Sequence, residues 1–142
     1  GLLRTLRKPE GTGGSFLPVL YVLGPDGQVT DILEPGAAGS KDRLVLADDD
    51  AWMVDVGSTE ATGVVVGFVG GTMEAVHRTW CQLADLNGVV IAEAELLGHT
   101  GFRSGLLARI YLHKGQWKFH ALACPSHAKN TVELLRDLHS LV

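Results

Sequence analysis

Sixteen residues, Ala108 to Ala123, constrain the fold of this chain more than any others. They read A-R-I-Y-L-H-K-G-Q-W-K-F-H-A-L-A, two alternating runs around Lys114-Gly115. A turn there sets Leu112 against Trp117, Ile110 against Phe119 and Ala108 against Ala121, all on one face. The opposite face pairs His113 with Gln116, Tyr111 with Lys118 and Arg109 with His120. Strand side chains alternate between faces, so this segregation calls for an antiparallel hairpin with one face in a core and one in water.

Asn87-Gly88 signals a second hairpin. A two-residue turn there predicts Leu86 facing Val89, Ala84 facing Ile91 and Trp80 facing Glu95. Cys81, Leu83, Val90, Ala92, Ala94 and Leu96 then share the core side. Residues 62–69 are Val-rich and apolar on both faces, the pattern of a central, fully buried strand. Phe16–Leu23 and Gln28–Leu33 flank a Gly24-Pro25-Asp26-Gly27 turn, and short strands are expected over 43–47 and 52–56. The 18 glycines among 142 residues suit such turn-rich architecture. Residues 1–14 read as a flexible or edge lead-in, and 15–142 as a single domain. The end of the chain changes period. Val132, Leu134, Leu135, Leu138, Leu141 and Val142 form a helical stripe, with Ser126 as the expected N-cap of a helix over about 127–140, packed on a sheet edge or sandwich end.

The net charge of −4 conceals a dipolar chain. Residues 26–60 hold nine acids and two bases, whereas residues 99–142 hold six bases and two acids. This is not the charge pattern of a nucleic-acid binder. The longest apolar run, about Val64–Val69, is too short to span a bilayer, and the first ten residues lack a signal-peptide apolar region. Cys81 and Cys124 stand alone, without a C-x-x-C motif, which fits a reducing, cytoplasmic setting.

No phosphate loop, nucleophile elbow or H-E-x-x-H motif is present, so an enzymatic reading has no motif behind it. Two constellations remain. Arg109, Tyr111, Lys118 and His120 share the polar hairpin face, either as an anion or ligand patch or as an ordinary solvated face. Asp48, Asp49 and Asp50 concentrate three adjacent carboxylates, either a partial calcium ligand set with Asp55 or a solvated acidic loop. Calcium takes six to eight oxygens, more than three carboxylates supply.

Several pieces, in order, resemble the TerD family of tellurite-resistance domains. Ala108–Ala123 looks like that family's late hairpin, E-L-Y-R-H-x-G-x-W-K-F-R-A-V-G. V-L-G-P-D-G-Q-V at 22–29 is similar to its L-L-x-x-D-G-K-V turn, and D-D-D-A-W-M-V-D-V at 48–56 to its D-D-E-x-I-x-V-D-L segment. The resemblance implies a mainly β fold, an antiparallel β-sandwich with a short C-terminal α-helix. It also implies a bacterial, cytoplasmic stress-response domain that binds calcium and protein partners and is not an enzyme. The family's D-F-D-L-D strand, however, is replaced by Gly13, Ser15 and Leu17, and its H-D-A-D loop keeps only Glu74. The expectation is therefore a TerD-like interaction domain with a degenerate calcium site. Two alternatives are one retained calcium site, and a small-anion binder using the Arg109/Lys118 face.

Overall fold

The computed structural model describes residues 3–13, 16–34, 45–47, 51–55, 63–70 and 76–141. Among the described residues, eleven strands and one helix run in the order β1 (Leu3–Arg7), β2 (Glu10–Gly13), β3 (Phe16–Leu23), β4 (Val29–Leu33), β5 (Val45–Ala47), β6 (Ala51–Asp55), β7 (Gly63–Gly70), β8 (Val76–Ala84), β9 (Val90–Phe102), β10 (Ser104–His113), β11 (Gln116–Ser126) and α1 (Thr131–Leu141). They form two antiparallel sheets, one of six strands and one of five. Among the described residues, no helix is long and apolar enough to cross a membrane.

In the six-stranded sheet, β9 pairs with β8 from Val76 to Ala84 and so occupies one whole edge. The other edge receives β1 at Leu83 and Ala84, and β2 from Val76 to Trp80. These two strands therefore lie end to end along β8, separated by Lys8-Pro9, where the missing Pro N–H interrupts the ladder. On its far side β1 pairs with all of β6. The expected flexible or edge lead-in thus divides: Leu3–Arg7 is an interior strand with Leu6 fully buried, whereas Glu10–Gly13 lies at the edge of the sheet. A five-residue strand with one core leucine is too short to show in periodicity alone.

The five-stranded sheet runs β11-β10-β7-β3-β4, with β7 in the middle. The two sheets enclose the main core. Leu6, Trp52 and Cys81 from one sheet meet Val22, Phe68 and Ile110 from the other. Phe68 makes ring contacts with Phe16 and Phe102.

A second core lies on the outer face of the five-stranded sheet. Tyr21, Val65, Val69 and Leu106 pack there against Leu134 and Leu138 of α1. The helix therefore covers a sheet face, not an edge or a sandwich end. That makes three layers and accounts for the double-sided apolar character of β7. Gly67 permits the approach, since a Cβ there would meet the Gly105 carbonyl oxygen at 2.7 Å and Leu134 at 3.3 Å. A β-bulge between Leu106 and Ala108 makes both contributions of β10 possible. Leu107 and Ala108 both serve the inner core, while Leu106 and Arg109 lie on the outer face.

The helix starts later than the sequence suggests. Asn130 is its cap: the Glu133 N–H donates to Asn130 Oδ1 at 2.9 Å, and the Lys129 N–H donates to the Glu133 carboxylate at 2.6 Å. This reciprocal arrangement satisfies two otherwise orphaned donors. Ser126 instead accepts the Ala128 N–H at 3.0 Å and donates to Asp137, tying the approach loop to the helix. Val132 is 63% exposed, so it lies off the buried stripe of Leu134 and Leu138.

Candidate functional site

The outer face of the five-stranded sheet is only partly covered by α1. Where the helix ends, a cleft of about 480 Å³ opens, lined by Leu23, Asp26, Gly27, Gln28, Arg109 and His139. Registers across the sheet set its floor. His120, Arg109, Val65 and Tyr21 stand side by side on four strands, and the next row is Lys118, Tyr111, Gly63 and Leu23. Gly63 lies close against the Ile110–Tyr111 backbone in this second row. A Cβ there would meet the Ile110 carbonyl oxygen at 2.5 Å.

The β3–β4 turn forms one wall. The Gly27 N–H donates to the Gly24 carbonyl at 3.0 Å, and the Gly24 N–H donates to the Gln28 carbonyl at 2.8 Å. Asp26 Oδ1 accepts the Gln28 N–H at 3.0 Å, so the turn sequence fixes its own acidic side chain. His139, in the last turn of α1, forms the other wall.

Arg109 is the charged group on the floor. Its guanidinium lies over the Tyr111 ring, 4.5 Å from the centroid, which holds the plane in place. Its Nε is buried without a hydrogen-bond partner. A buried donor left unsatisfied costs about 1–3 kcal/mol, so the site favours an acceptor there.

The four residues expected on this face thus divide. Arg109 enters the cleft and Tyr111 supports it. Lys118 and His120 are exposed on β11 and lie outside the cleft lining. Lys118 Nζ instead donates to Gln116 Oε1 at 3.3 Å. Asp26, Gln28 and His139 were missed by sequence reasoning. They come from the β3–β4 turn and the helix end, and no local motif links them to Arg109.

The acidic cluster Asp48, Asp49 and Asp50 lies outside the described residues. Asp55 ends β6 opposite Leu3, and its side chain is also outside them. Among the described residues, no three His, Cys, Asp or Glu side chains are grouped to hold a metal ion.

A second cleft, about 450 Å³, lies beside the helix entry and includes Ser126, His127 and Asp137. The Ser126 hydroxyl donates to Asp137, not to a histidine, which is a structural tie and not an activated nucleophile. Cys81 is buried, and desolvation pushes its thiol up to about 12, which keeps it protonated and inert near neutral pH.

At the far end of the six-stranded sheet, the β8–β9 hairpin presents Leu86, Val89, Val90 and Ile91 to solvent. Behind them, Arg78 pairs with Glu95 and lies over the Trp80 ring, and Gln82 bonds Glu93 at 3.1 Å.

No protein-family model matches the chain, and no curated protein sequence matches it. Among solved structures, it is similar to the crystal structure of SAV2460, a protein of unknown function. The TM-score is 0.67 at 14% identity, over 93% of this chain and 94% of that one. This likeness shows a shared fold.

Proposed function

We propose that this chain is a non-enzymatic binding domain, a divergent TerD-like sandwich, whose ligand site is the Arg109 cleft. The observation that carries the reading is the buried, unpartnered Nε of Arg109, held by Tyr111 at the floor of an open cleft. A fixed guanidinium with a free donor suits a carboxylate or phosphate group on a small molecule. The cleft volume falls within the range typical of small-molecule sites, about 300–1,000 Å³.

Order of elements and the Trp117-Lys118-Phe119 hairpin support the TerD-like part of the proposal, and with it a bacterial, cytoplasmic stress role. The aspartates missing from the first acidic strand support a degenerate calcium site. A protein partner is the second reading, favoured by the four exposed apolar side chains clustered on the β8–β9 hairpin.

The test is an amide NMR titration with butyrate, a monoanion. Shifts at Gly27, Gln28 and Arg109 are expected, and Arg109→Ala should abolish them while leaving the rest of the spectrum folded. Arg109→Lys, which keeps the charge but not the fork, should weaken them. Shifts that persist in Arg109→Ala, or no shifts at all, would sink the proposal.

A further inference from the structure

The Arg109 cleft carries both signs of charge, and the two do not neutralise each other. Arg109 and Asp26 line the same cavity. Among the described residues, neither forms an ion pair with the other or with any third group. Each is nevertheless fixed in place. Tyr111 underlies the guanidinium, and the Asx turn to Gln28 holds the carboxylate by one oxygen, leaving the other available.

We infer that the cleft holds a small zwitterion, an amino carboxylate with its carboxylate on Arg109 and its ammonium on Asp26. This rests on the reading of the cleft as a site for an anionic group, and adds the group at the opposite end of the ligand. A simple anion would satisfy Arg109 but lie in the same cleft as an uncompensated Asp26 carboxylate. It would also approach the C-terminal end of α1, where the helix dipole presents partial negative charge beside His139. A polyanion such as phosphate incurs both repulsions fully. A ligand with a positive end meets both features favourably, because opposite charges within a few ångströms in a partly desolvated cleft attract.

The geometry also sets the size. Arg109 and Asp26 are not in direct contact, so the two ends of the ligand are spaced by intervening atoms. An amino carboxylate whose two charged ends are separated by a few intervening atoms meets this requirement.

The experiment is a matched titration of the intact chain, followed by amide NMR, with 4-aminobutyrate, butyrate and butylamine. These share one carbon chain and differ in which ends are charged. The expected result is that 4-aminobutyrate binds at least about tenfold tighter than either relative, with shifts at Gly27 and Gln28. A tenfold ratio corresponds to about 1.4 kcal/mol. Asp26→Asn keeps the side-chain oxygen that accepts the Gln28 N–H, so the turn survives. It should bring 4-aminobutyrate and butyrate to similar affinity, weakening the first and, by removing the repulsion, strengthening the second.

Equal binding of butyrate and 4-aminobutyrate, unchanged by Asp26→Asn but lost in Arg109→Ala, would overturn the zwitterion while leaving the anion site standing. Absence of binding by all three would overturn both. Glycine and 6-aminohexanoate, run alongside, bracket the charge spacing. If every zwitterion in that series binds no better than butyrate, the inference fails.

Discussion

Tyr21 shows how much one side chain does here. It lies on the outer face of β3, fully buried, and its hydroxyl donates to the Thr131 carbonyl at 2.7 Å. This bond anchors the first turn of α1 to the sheet across 110 residues of sequence. Burial, with Glu34 and Asp137 nearby, raises the phenol above its ordinary value, so it stays a donor. Tyr21→Phe should therefore destabilise the fold by about 1–2 kcal/mol, measured by urea denaturation. An unchanged midpoint would mean the bond is replaced by water. Turn residues show both success and failure of sequence reading. Lys114 and Gly115 both take positive φ, 50° and 76°, as a two-residue turn requires, and every expected pair forms. At Asn87-Gly88 only Gly88 has positive φ, and its N–H donates to the Asp85 carbonyl. Asp85 Oδ1 accepts the Asn87 and Val89 N–H groups, drawing Leu86 into the turn. The loop is one residue longer, Ala84 pairs with Val90 instead of Ile91, and Val90 is 47% exposed. Beyond that shift the expected pairing of Trp80 with Glu95 is restored.

At the scale of elements, α1 and the bulged strand β10 decide what is buried. The helical period alone allows several faces, and the sequence stripe includes both Val132 and Leu134. Docking on Tyr21, Val65 and Leu106 selects Leu134 and Leu138 and leaves Val132 in solvent. Leu134→Ala should cost about 2–5 kcal/mol by opening a cavity between helix and sheet, whereas Val132→Ala should change stability by less than about 0.5 kcal/mol. Thermal and urea denaturation of the two variants would check the contrast, and equal costs would contradict the observed seating. Loss of the helix would also remove the His139 wall of the cleft, so Leu134→Ala should weaken ligand binding as well as stability. The bulge has no reliable sequence mark. It shows only as a lapse in alternation at Leu106-Leu107-Ala108, three consecutive apolar residues that serve two different cores.

The whole molecule is sheet on sheet on helix, and its two cores hold groups that resist ionisation. The Cys81 thiol ionises near 9.0 when free and near 12 in the fold, because burial disfavours the thiolate. The Tyr21 phenol is raised in the same direction. As pH rises past 9 the unfolded chain therefore releases its proton first, and native stability falls. This contribution is complete below the unfolded value and is lost as pH climbs toward 12. The slope for one such group approaches about 1.4 kcal/mol per pH unit. Urea midpoints should fall between pH 8 and pH 10.5. In Cys81→Ala, less stable at pH 8, the further fall should be smaller. An equal fall in both proteins would point away from the thiol.

Residues on a single hairpin, Arg109, Tyr111, Lys118 and His120, could be placed on one face by alternation, and they are on it. So could the buried middle strand, the antiparallel class and the terminal helix, because each follows from a period of two or 3.6 within a short window. Three things required the tertiary structure. The interior position of Leu3–Arg7 follows from pairing with β6 and β8, some fifty and eighty residues away. The seating of α1 on a sheet face follows from which apolar surface the sandwich leaves uncovered. The site itself follows from bringing Asp26, Arg109 and His139 to one cleft, although their positions in the chain carry no common pattern. Local periodicity fixes the side of an element on which a residue stands. Only packing between elements fixes what it meets there.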